Sequence, residues 1–480
     1  MNYKRIFGLL GRVLVLESFL LLLPLLVSLI YKENCWSAFL ITAGISLIVG
    51  FLLILLCKTP NHTIYSKEGI IIVALAWIAV SIIGSLPFFI SGEIPNFIDA
   101  LFETISGFTT TGASILDNVE LMSKGLLFWR SFTNWIGGMG VLVFIVALLG
   151  KSSDRSIHIL RAEMPGPTVD KIVPNAKNTA KILYTIYISL TLILVVLLLL
   201  GGMNLFDAIV HSFSTAGTGG FSSKIDSIAG FNNYIQWVIA IFMLIFGINF
   251  NLLYLFVIGK FFKAIKNTEL WTYLGIVLTS IVLVCINIYP LVNNLGDCIR
   301  LSVFQVSSII STTGFSTCDY NLWPTLAKSL LLIIMLIGAC AGSTAGGMKV
   351  SRLVILFKSA KKQANHMLNP NSVEVIKLDG KKVENDTITN VLNYLTIYVF
   401  IIVITFILLS LGNNFSLETN FSAVIACFNN IGPGFDSVGP MVSYSAYSPL
   451  GKIILSFAML LGRLEIFPLI LILSPLTWKK

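Results

Sequence analysis

The chain has 480 residues, of which 56% are hydrophobic and 11% charged, and its mean hydropathy is +0.89. Soluble domains carry about a quarter charged residues, so this composition excludes a water-soluble protein. The formal net charge is +9, but the basic residues recur in alternate loops between apolar stretches. This distribution indicates membrane topology, and we expect no nucleic-acid partner.

Two apolar spans open the chain, at 9–31 and 36–57. Each is long enough to cross a hydrocarbon core about 30 Å thick as a helix. The first is too long for a signal peptide and ends in Tyr31-Lys32-Glu33-Asn34 rather than at a small-residue cleavage site. We therefore expect it to remain in the mature protein.

The chain then repeats one pattern four times: a long apolar span, a shorter helix with a tip rich in Gly, Thr and Ser, and a second long span. The paired spans are predicted at 69–91 and 125–150, 181–203 and 231–259, 269–291 and 325–357, and 388–411 and 447–474. The predicted units are a two-helix extension at 1–66 and pore repeats at 67–150, 151–260, 261–358 and 359–480. The predicted fold is an all-α polytopic membrane protein of ten spans, with four pseudo-symmetric span–pore loop–span repeats around a central pore.

The segments between paired spans align with one another. They read DALFETISGFTTTGAS from Asp99, DAIVHSFSTAGTGGFS from Asp207, RLSVFQVSSIISTTGFS from Arg300 and TNFSAVIACFNNIGPGF from Thr419. They are too short and polar to span a membrane. Non-helical backbone at membrane depth is tolerated only where it lines protein or a water-filled cavity. The sequence therefore predicts four re-entrant loops whose tips converge on one axis.

Glycine at these tips suits the binding of a dehydrated alkali cation. A ring of backbone carbonyls supplies several oxygen ligands without buried charge, and glycine permits the dihedrals that turn a carbonyl toward the axis. Acidic residues nearby, such as Glu103 and Asp436, are expected to concentrate cations. Glycines that only pack helices are the alternative, but four in register favour a filter. The predicted filter residues are Thr110, Thr111, Gly112, Thr218, Gly219, Gly220, Thr312, Thr313, Gly314, Asn430, Ile431 and Gly432.

The motifs TTTGAS, STAGTGGFS, STTGFST and NNIGPGF resemble those of the TrkH/KtrB superfamily of potassium transporters, as do RSFTNWIGGMG from Arg130 and GACAGSTAGGMK from Gly338. The two extra spans at the start resemble the TrkH branch. The resemblance implies potassium uptake across a prokaryotic inner cell membrane through a gated, channel-like pore, with K+ at the filter residues and no organic cofactor. In this superfamily a serine in place of the first filter glycine goes with sodium conduction. The register stays open in the second repeat, where Gly219 precedes Gly220, and in the fourth, where Ile431 precedes Gly432.

The second span of the third repeat contains a run of small residues from Gly338 to Gly347, which weakens a helix through backbone entropy. A broken helix in the pathway and close helix packing both fit this run. The resemblance implies an intramembrane gate formed by Gly338, Gly342, Ser343, Thr344, Gly346 and Gly347. Arg463 lies inside the last predicted span, where a charge usually faces the bundle interior. The resemblance places Arg463 in the pore below the filter, as part of the gate.

The positive-inside rule places the basic loops and both termini in the cytoplasm. The resemblance implies a homodimer and a cytosolic, nucleotide-binding regulatory subunit of the TrkA type. The basic segments 151–180 and 358–387 fit either docking of that subunit or contact with anionic membrane lipid.

An ion-coupled secondary transporter, such as a sodium- or proton-coupled potassium symporter, is the alternative function, because such folds also use repeats and broken helices. The constant orientation of the four repeats favours a pore. An enzyme is not expected, since the four histidines form no recurring cluster with Asp or Glu at catalytic spacing.

Overall fold

The structure, a computed structural model, describes residues 2–57, 66–140, 176–372, 374–412 and 415–478. The chain begins with helices Tyr3–Leu20, Leu22–Ile30 and Trp36–Leu56. The first two join at Leu21 into a single apolar span of 28 residues, and the third forms another. The two predicted opening spans are therefore both helical.

Each repeat begins with a long helix and continues with a short one. The long helices are Ser66–Ile90, Ala176–Leu200, Thr268–Val292 and Asn385–Gly412. The short helices, called pore helices one to four below, are Phe97–Phe108, Leu205–Gly217, Leu295–Ile310 and Leu417–Phe428. Each pore helix starts after a polar residue whose side chain accepts a hydrogen bond from a backbone N–H of the first turn: Asn96, Asn204, Asn294 and Ser416. These N-caps fix where the chain re-enters the membrane.

The second span of the first repeat is described as far as Gly140, and those of the other three repeats are broken. The helices are Lys124–Met139; Asn233–Phe246 and Phe250–Val257; Thr325–Ile337 and Val350–Leu368; and Pro449–Arg463 and Phe467–Leu473. The predicted break after Gly338 is present. The spans predicted at 231–259 and 447–474 contain breaks that the sequence did not predict: the former bends by 100° where Asn249 caps a new helix, and the latter breaks where Glu465 and Ile466 take φ of 55° and 69°. The end of the predicted span 125–150, at 141–150, and most of the basic segment 151–180 lie outside the described part of the chain.

Among the described residues, six helices are long and apolar enough to cross a membrane, because the broken second spans do not qualify singly. The remaining helical elements are Val119–Leu121, Phe261–Ile265, Tyr320–Leu322, Asp436–Val438 and Pro475–Trp478. Strands Lys377–Leu378 and Lys381–Lys382 pair as an antiparallel hairpin. The predicted all-α polytopic class is confirmed, with this hairpin as a small addition.

Burial separates the two kinds of helix. The long helices expose apolar side chains, such as Leu192 and Leu278, at 59% and 64%. The C-terminal halves of the pore helices are enclosed, and even the polar residues His211 and Gln305 are fully buried. Near the two ends of the chain, the Tyr3 hydroxyl donates to the Trp478 carbonyl at 2.8 Å, so both ends lie on the same side of the protein.

Candidate functional site

The four loop tips share one backbone hydrogen-bond pattern. In each tip, a backbone N–H donates at 2.8 Å to the carbonyl five residues earlier, on the last turn of the pore helix: Thr111 to Ser106, Gly219 to Ser214, Thr313 to Ser308, and Ile431 to Ala426. Because the four bonds are equivalent, they align the tips residue by residue. Gly220 and Gly432 thus occupy the same positions as Gly112 and Gly314, which resolves the register in the second and fourth repeats.

The backbone dihedrals repeat as well. The residues that begin the tips have φ between 55° and 57°: Thr110, Thr218, Thr312 and Asn430. The aligned glycines Gly112, Gly220, Gly314 and Gly432 have φ of 77°, 66°, 82° and 96°. L side chains rarely adopt this region, which glycine enters at little cost. In each tip the first residue and the glycine have positive φ, and the residue between them does not. This sequence of dihedrals keeps the tip non-helical.

The tips close into a ring. A β-carbon added to Gly112 would lie 2.1 Å from the carbonyl oxygen of Gly219, and one on Gly220 would lie 2.0 Å from that of Thr313. A β-carbon on Gly314 would lie 2.0 Å from the Ile431 oxygen, and one on Gly432 would lie 2.6 Å from the Thr111 oxygen. Each glycine therefore meets the main chain of the next repeat, and the fourth meets the first. All four glycines also line a single cavity of about 110 Å³.

The charges beside the ring differ from those expected. Glu103 is buried, and one of its oxygens accepts from Arg130 Nε at 2.5 Å. Its other oxygen accepts from the Ile115 N–H at 2.9 Å. Glu103 is therefore neutralised inside the first repeat and is not a free charge at the entrance, contrary to the prediction. Arg130 also donates to the Ser222 carbonyl at 3.1 Å, which ties the first repeat to the second.

Asp436 lies in the outer loop that follows the fourth tip. Hydrogen bonds from the Ser416 and Thr419 hydroxyls, at 2.6 Å each, hold the pKa of this carboxyl below its usual value. Asp436 therefore keeps its negative charge, while its role in attracting cations stays a prediction.

The predicted gate residues lie in a non-helical loop between helices Thr325–Ile337 and Val350–Leu368, called the inner loop below. The loop is nearly enclosed: Thr344 is 1% exposed. Gly338, Gly342 and Gly347 all have positive φ, while Ser343 donates to the Cys340 carbonyl at 2.6 Å. The N–H of Gly346 donates to the Thr312 hydroxyl at 2.7 Å, so the inner loop contacts the third tip directly.

Arg463 connects this loop to the first repeat. Its guanidinium donates to the Thr344 carbonyl at 2.7 Å and to the carbonyls of Gly137 and Gly138 at 2.5 and 2.7 Å. The predicted gate residues and Arg463 are thus brought together, on the inner side of the ring. Arg463 lies at the end of helix Pro449–Arg463 rather than within a continuous span.

Glu269 is a residue of this site that the sequence reasoning missed. Its Oε1 accepts from the Ala341 N–H at 2.7 Å and from the Ser351 N–H at 3.0 Å, so a single carboxylate oxygen joins the inner loop to the first turn of the helix that follows it. In the sequence Glu269 is simply an acidic residue in the first turn of a helix, a common position for Glu. No local signal separates it from an ordinary helix start.

Tyr444 was missed in the same way. Its hydroxyl donates to the Gly432 carbonyl at 2.7 Å from a loop beyond the fourth tip, and its backbone N–H donates to the Ser114 carbonyl at 2.8 Å. The fourth tip, which departs most from the others in sequence, is therefore braced from outside against the first.

This fold and site define a polytopic membrane protein with four re-entrant loops joined in a ring. The profile of the TrkH family, described as "Cation transport protein", matches residues 36–479, and the chain belongs to that family. The Trk system potassium uptake protein TrkH of Escherichia coli (strain K12) is 36% identical over the full length of both chains. The potassium uptake protein TrkG of the same strain is 36% identical over 98% of this chain and 97% of its own. The crystal structure of the potassium transporter TrkH from Vibrio parahaemolyticus matches with a TM-score of 0.89 and 32% identity, and covers both chains fully.

Proposed function

We propose that this chain takes up potassium across a prokaryotic cell membrane, through a gated, channel-like pore whose selectivity filter is the ring of four tips. The observation that carries the proposal is the closure of that ring, in which each filter glycine meets the main chain of the next repeat. Backbone carbonyls so arranged can replace the water around a dehydrated K+ ion. The potassium uptake proteins named above, similar over their whole length, support the choice of ion.

The filter residues act through their main chain. Thr110, Thr218, Thr312 and Asn430 begin the tips, and the residues after them, up to the glycines, present carbonyl oxygens around the axis. The pore helices end directly before the tips, so the partially negative C-terminal ends of their dipoles favour a cation there. The ion is the substrate of the pore, and no organic cofactor is needed for this role.

The inner loop and Arg463 act as the gate. Two contacts support this role: the Gly346 N–H donates to the Thr312 hydroxyl of the third tip, and Arg463 donates to the Thr344 carbonyl of the inner loop, so peptide groups and a positive charge lie next to the filter. A fixed positive charge in the pathway opposes a cation. Conduction therefore requires these contacts to break, so that the loop and the guanidinium move aside.

The proposed function also implies the orientation of the chain and its partners. We infer that both termini are cytoplasmic, which agrees with their proximity and with the basic loops. The chain forms a homodimer. A cytosolic, nucleotide-binding subunit of the TrkA type binds to it and controls the inner loop. The exposed lysines of the hairpin, Lys377, Lys381 and Lys382, offer such a subunit a basic surface close to Glu269, because Asp379 of the same hairpin accepts from the Thr268 N–H at 2.6 Å.

The test is tracer flux into proteoliposomes that contain the purified chain, with K+ or Na+ outside. We expect saturable K+ influx well above Na+ influx, and discrete single-channel currents in planar bilayers. A coupled symporter would give flux that follows an imposed sodium or proton gradient and no unitary currents. No ion flux above that of empty liposomes, with the partner subunit present, would contradict the proposal.

A further inference from the structure

Glu17 is a buried carboxyl group that the pore does not use. It lies on helix Tyr3–Leu20 of the N-terminal extension and is 3% exposed. Within the described ranges neither of its carboxyl oxygens has a hydrogen-bond partner. It differs in this from the buried Glu103 and Glu269, which are both bonded.

The surroundings of Glu17 are apolar. It borders a cavity of about 10 Å³, room for about one water molecule, whose other walls come from four helices: Val13, Leu16, Leu20, Val80, Phe108, Trp129 and Ile136. The indole N–H of Trp129 donates to the Gly84 carbonyl at 2.9 Å and is not available to the carboxyl. A β-carbon on Gly84 would lie 3.3 Å from Glu17 Oε1 and 2.8 Å from the Phe108 ring, so the carboxyl and the ring both lie close to Gly84.

The charged groups on the helices around this cavity are directed elsewhere. Arg5 pairs with Glu68, Arg130 with Glu103 and Lys452 with Asp99, while Lys124 lies over the Tyr31 ring. Lys4, Arg12 and Lys67 are exposed. No described cation therefore stabilises an ionised Glu17. An unpaired carboxylate in such a site costs so much that the group takes up a proton instead.

We propose that Glu17 is an intramembrane proton-binding site that holds a neutral carboxylic acid beside the first filter segment. Phe108, which lines the same cavity, ends pore helix one, directly before the residues that lead to Gly112. Ionisation would draw water between the carboxyl and this ring. Proton occupancy of Glu17 therefore preserves the packing behind the first tip. This inference goes beyond the proposed function and does not depend on which ion the pore carries.

A protonated carboxyl in an apolar site reacts with a hydrophobic carbodiimide. The carboxyl proton moves to one nitrogen of the reagent while the carboxyl oxygen bonds to its central carbon. Migration of the acyl group to the other nitrogen then gives a stable N-acylurea. The whole reagent is retained and nothing leaves, so the product is identified by the added mass of the peptide that contains Glu17.

The experiment treats the full chain in proteoliposomes with dicyclohexylcarbodiimide over a range of pH and maps the label by mass spectrometry. We expect label on Glu17 that decreases as the pH rises, and none on Glu103, which is equally buried but paired with Arg130. A water-soluble carbodiimide should label the exposed Glu120 and spare Glu17. Label on Glu103 but not Glu17, or absence of label on Glu17 at every pH, would overturn the proposal.

Two further readouts do not depend on this reagent. The infrared carbonyl band of a protonated carboxylic acid should weaken in Glu17→Gln. Retention of a proton against rising pH costs free energy, so the unfolding midpoint of the wild type should fall relative to that of Glu17→Gln as the pH is raised. Parallel curves and an unchanged band would show that Glu17 is ionised. K+ flux is not needed for any of these measurements, so failure of this proposal is distinguishable from failure of the proposed function.

Discussion

The side-chain nitrogen of Asn430 lies 3.0 Å from the hydroxyl oxygen of Thr111, and this hydrogen bond joins the fourth tip to the first. The same nitrogen donates to the Met459 carbonyl at 3.0 Å. The first three tips begin with threonine, and only the fourth begins with asparagine. The longer amide side chain thus reaches across to close the ring where the sequence departs most from the other repeats.

We expect Asn430→Ala to reduce both the stability of the protein and its preference for K+. The substitution removes two buried hydrogen bonds, each of which contributes about 0.5–1.5 kcal/mol. Thermal unfolding in detergent and paired K+ and Na+ fluxes measure the two effects. In a double-mutant cycle with Thr111→Val, the two losses should not add. Full additivity would show that the bond between the tips does not contribute.

Breaking the ion pair between Glu103 and Arg130 should destabilise the protein strongly. Removal of one partner leaves the other charge buried and unpaired, and such changes cost about 3–5 kcal/mol. Glu103→Gln is expected to lower the unfolding midpoint much more than Glu120→Gln, which alters an exposed ion pair on the outer surface. Equal midpoints for the two variants would contradict the account of Glu103 as a neutralised structural residue.

Removal of the charge on Arg463 should raise K+ flux. In Arg463→Gln the positive charge inside the filter is lost, and the contacts with Thr344 and Gly137 weaken. We expect higher open probability in bilayers, without a change in K+ over Na+ preference. Lys328→Gln, which removes a cation paired with Glu418 on the outer side, is the matched control and should leave gating unchanged. Flux at or below the wild-type level in Arg463→Gln would argue against a gating role.

Glu269→Ala should loosen the inner loop. The loss of one carboxylate leaves two N–H groups without their acceptor, that of Ala341 in the loop and that of Ser351 in the helix that follows. Cys340 lies within the loop and is fully buried, so its reaction with a thiol reagent reports the opening. With the other cysteines replaced by alanine, we expect faster labelling of Cys340 in Glu269→Ala and an intermediate rate in Glu269→Gln. Identical rates in all three proteins would show that Glu269 does not hold the loop.

The repeat organisation and the alignment of the four tip glycines could be predicted because both leave local signals in the sequence. Apolar spans of sufficient length recur, and glycine is required wherever the main chains of neighbouring repeats approach each other. The small residues from Gly338 to Gly347 likewise indicated a break in the helix. In these cases the local residue types alone determine the structural feature.

The breaks at 247–249 and 464–466 could not be predicted, since hydropathy continues through both. Their cause is tertiary. The Cys340 N–H donates to the Gly247 carbonyl at 3.1 Å and the Phe250 N–H donates to the Gly342 carbonyl at 3.0 Å, so the inner loop satisfies the backbone groups that the bend releases. At the other break Glu465 pairs with Arg352. Glu269 escaped notice for the same reason, because its partners lie more than 70 residues away.

Gly112→Ser tests the central claim most directly, through the ratio of K+ to Na+ flux in proteoliposomes. A side chain at Gly112 meets the Gly219 carbonyl at 2.1 Å, so that oxygen must move, and we expect the preference for K+ to fall about tenfold, or ~1.4 kcal/mol. Gly92→Ser is the matched control, because Gly92 has a similar φ of 79° but nothing within 4 Å of an added β-carbon. A loss of preference in Gly112→Ser alone is the predicted result. An unchanged ratio in a folded Gly112→Ser protein would contradict the ring of tips as the selectivity filter.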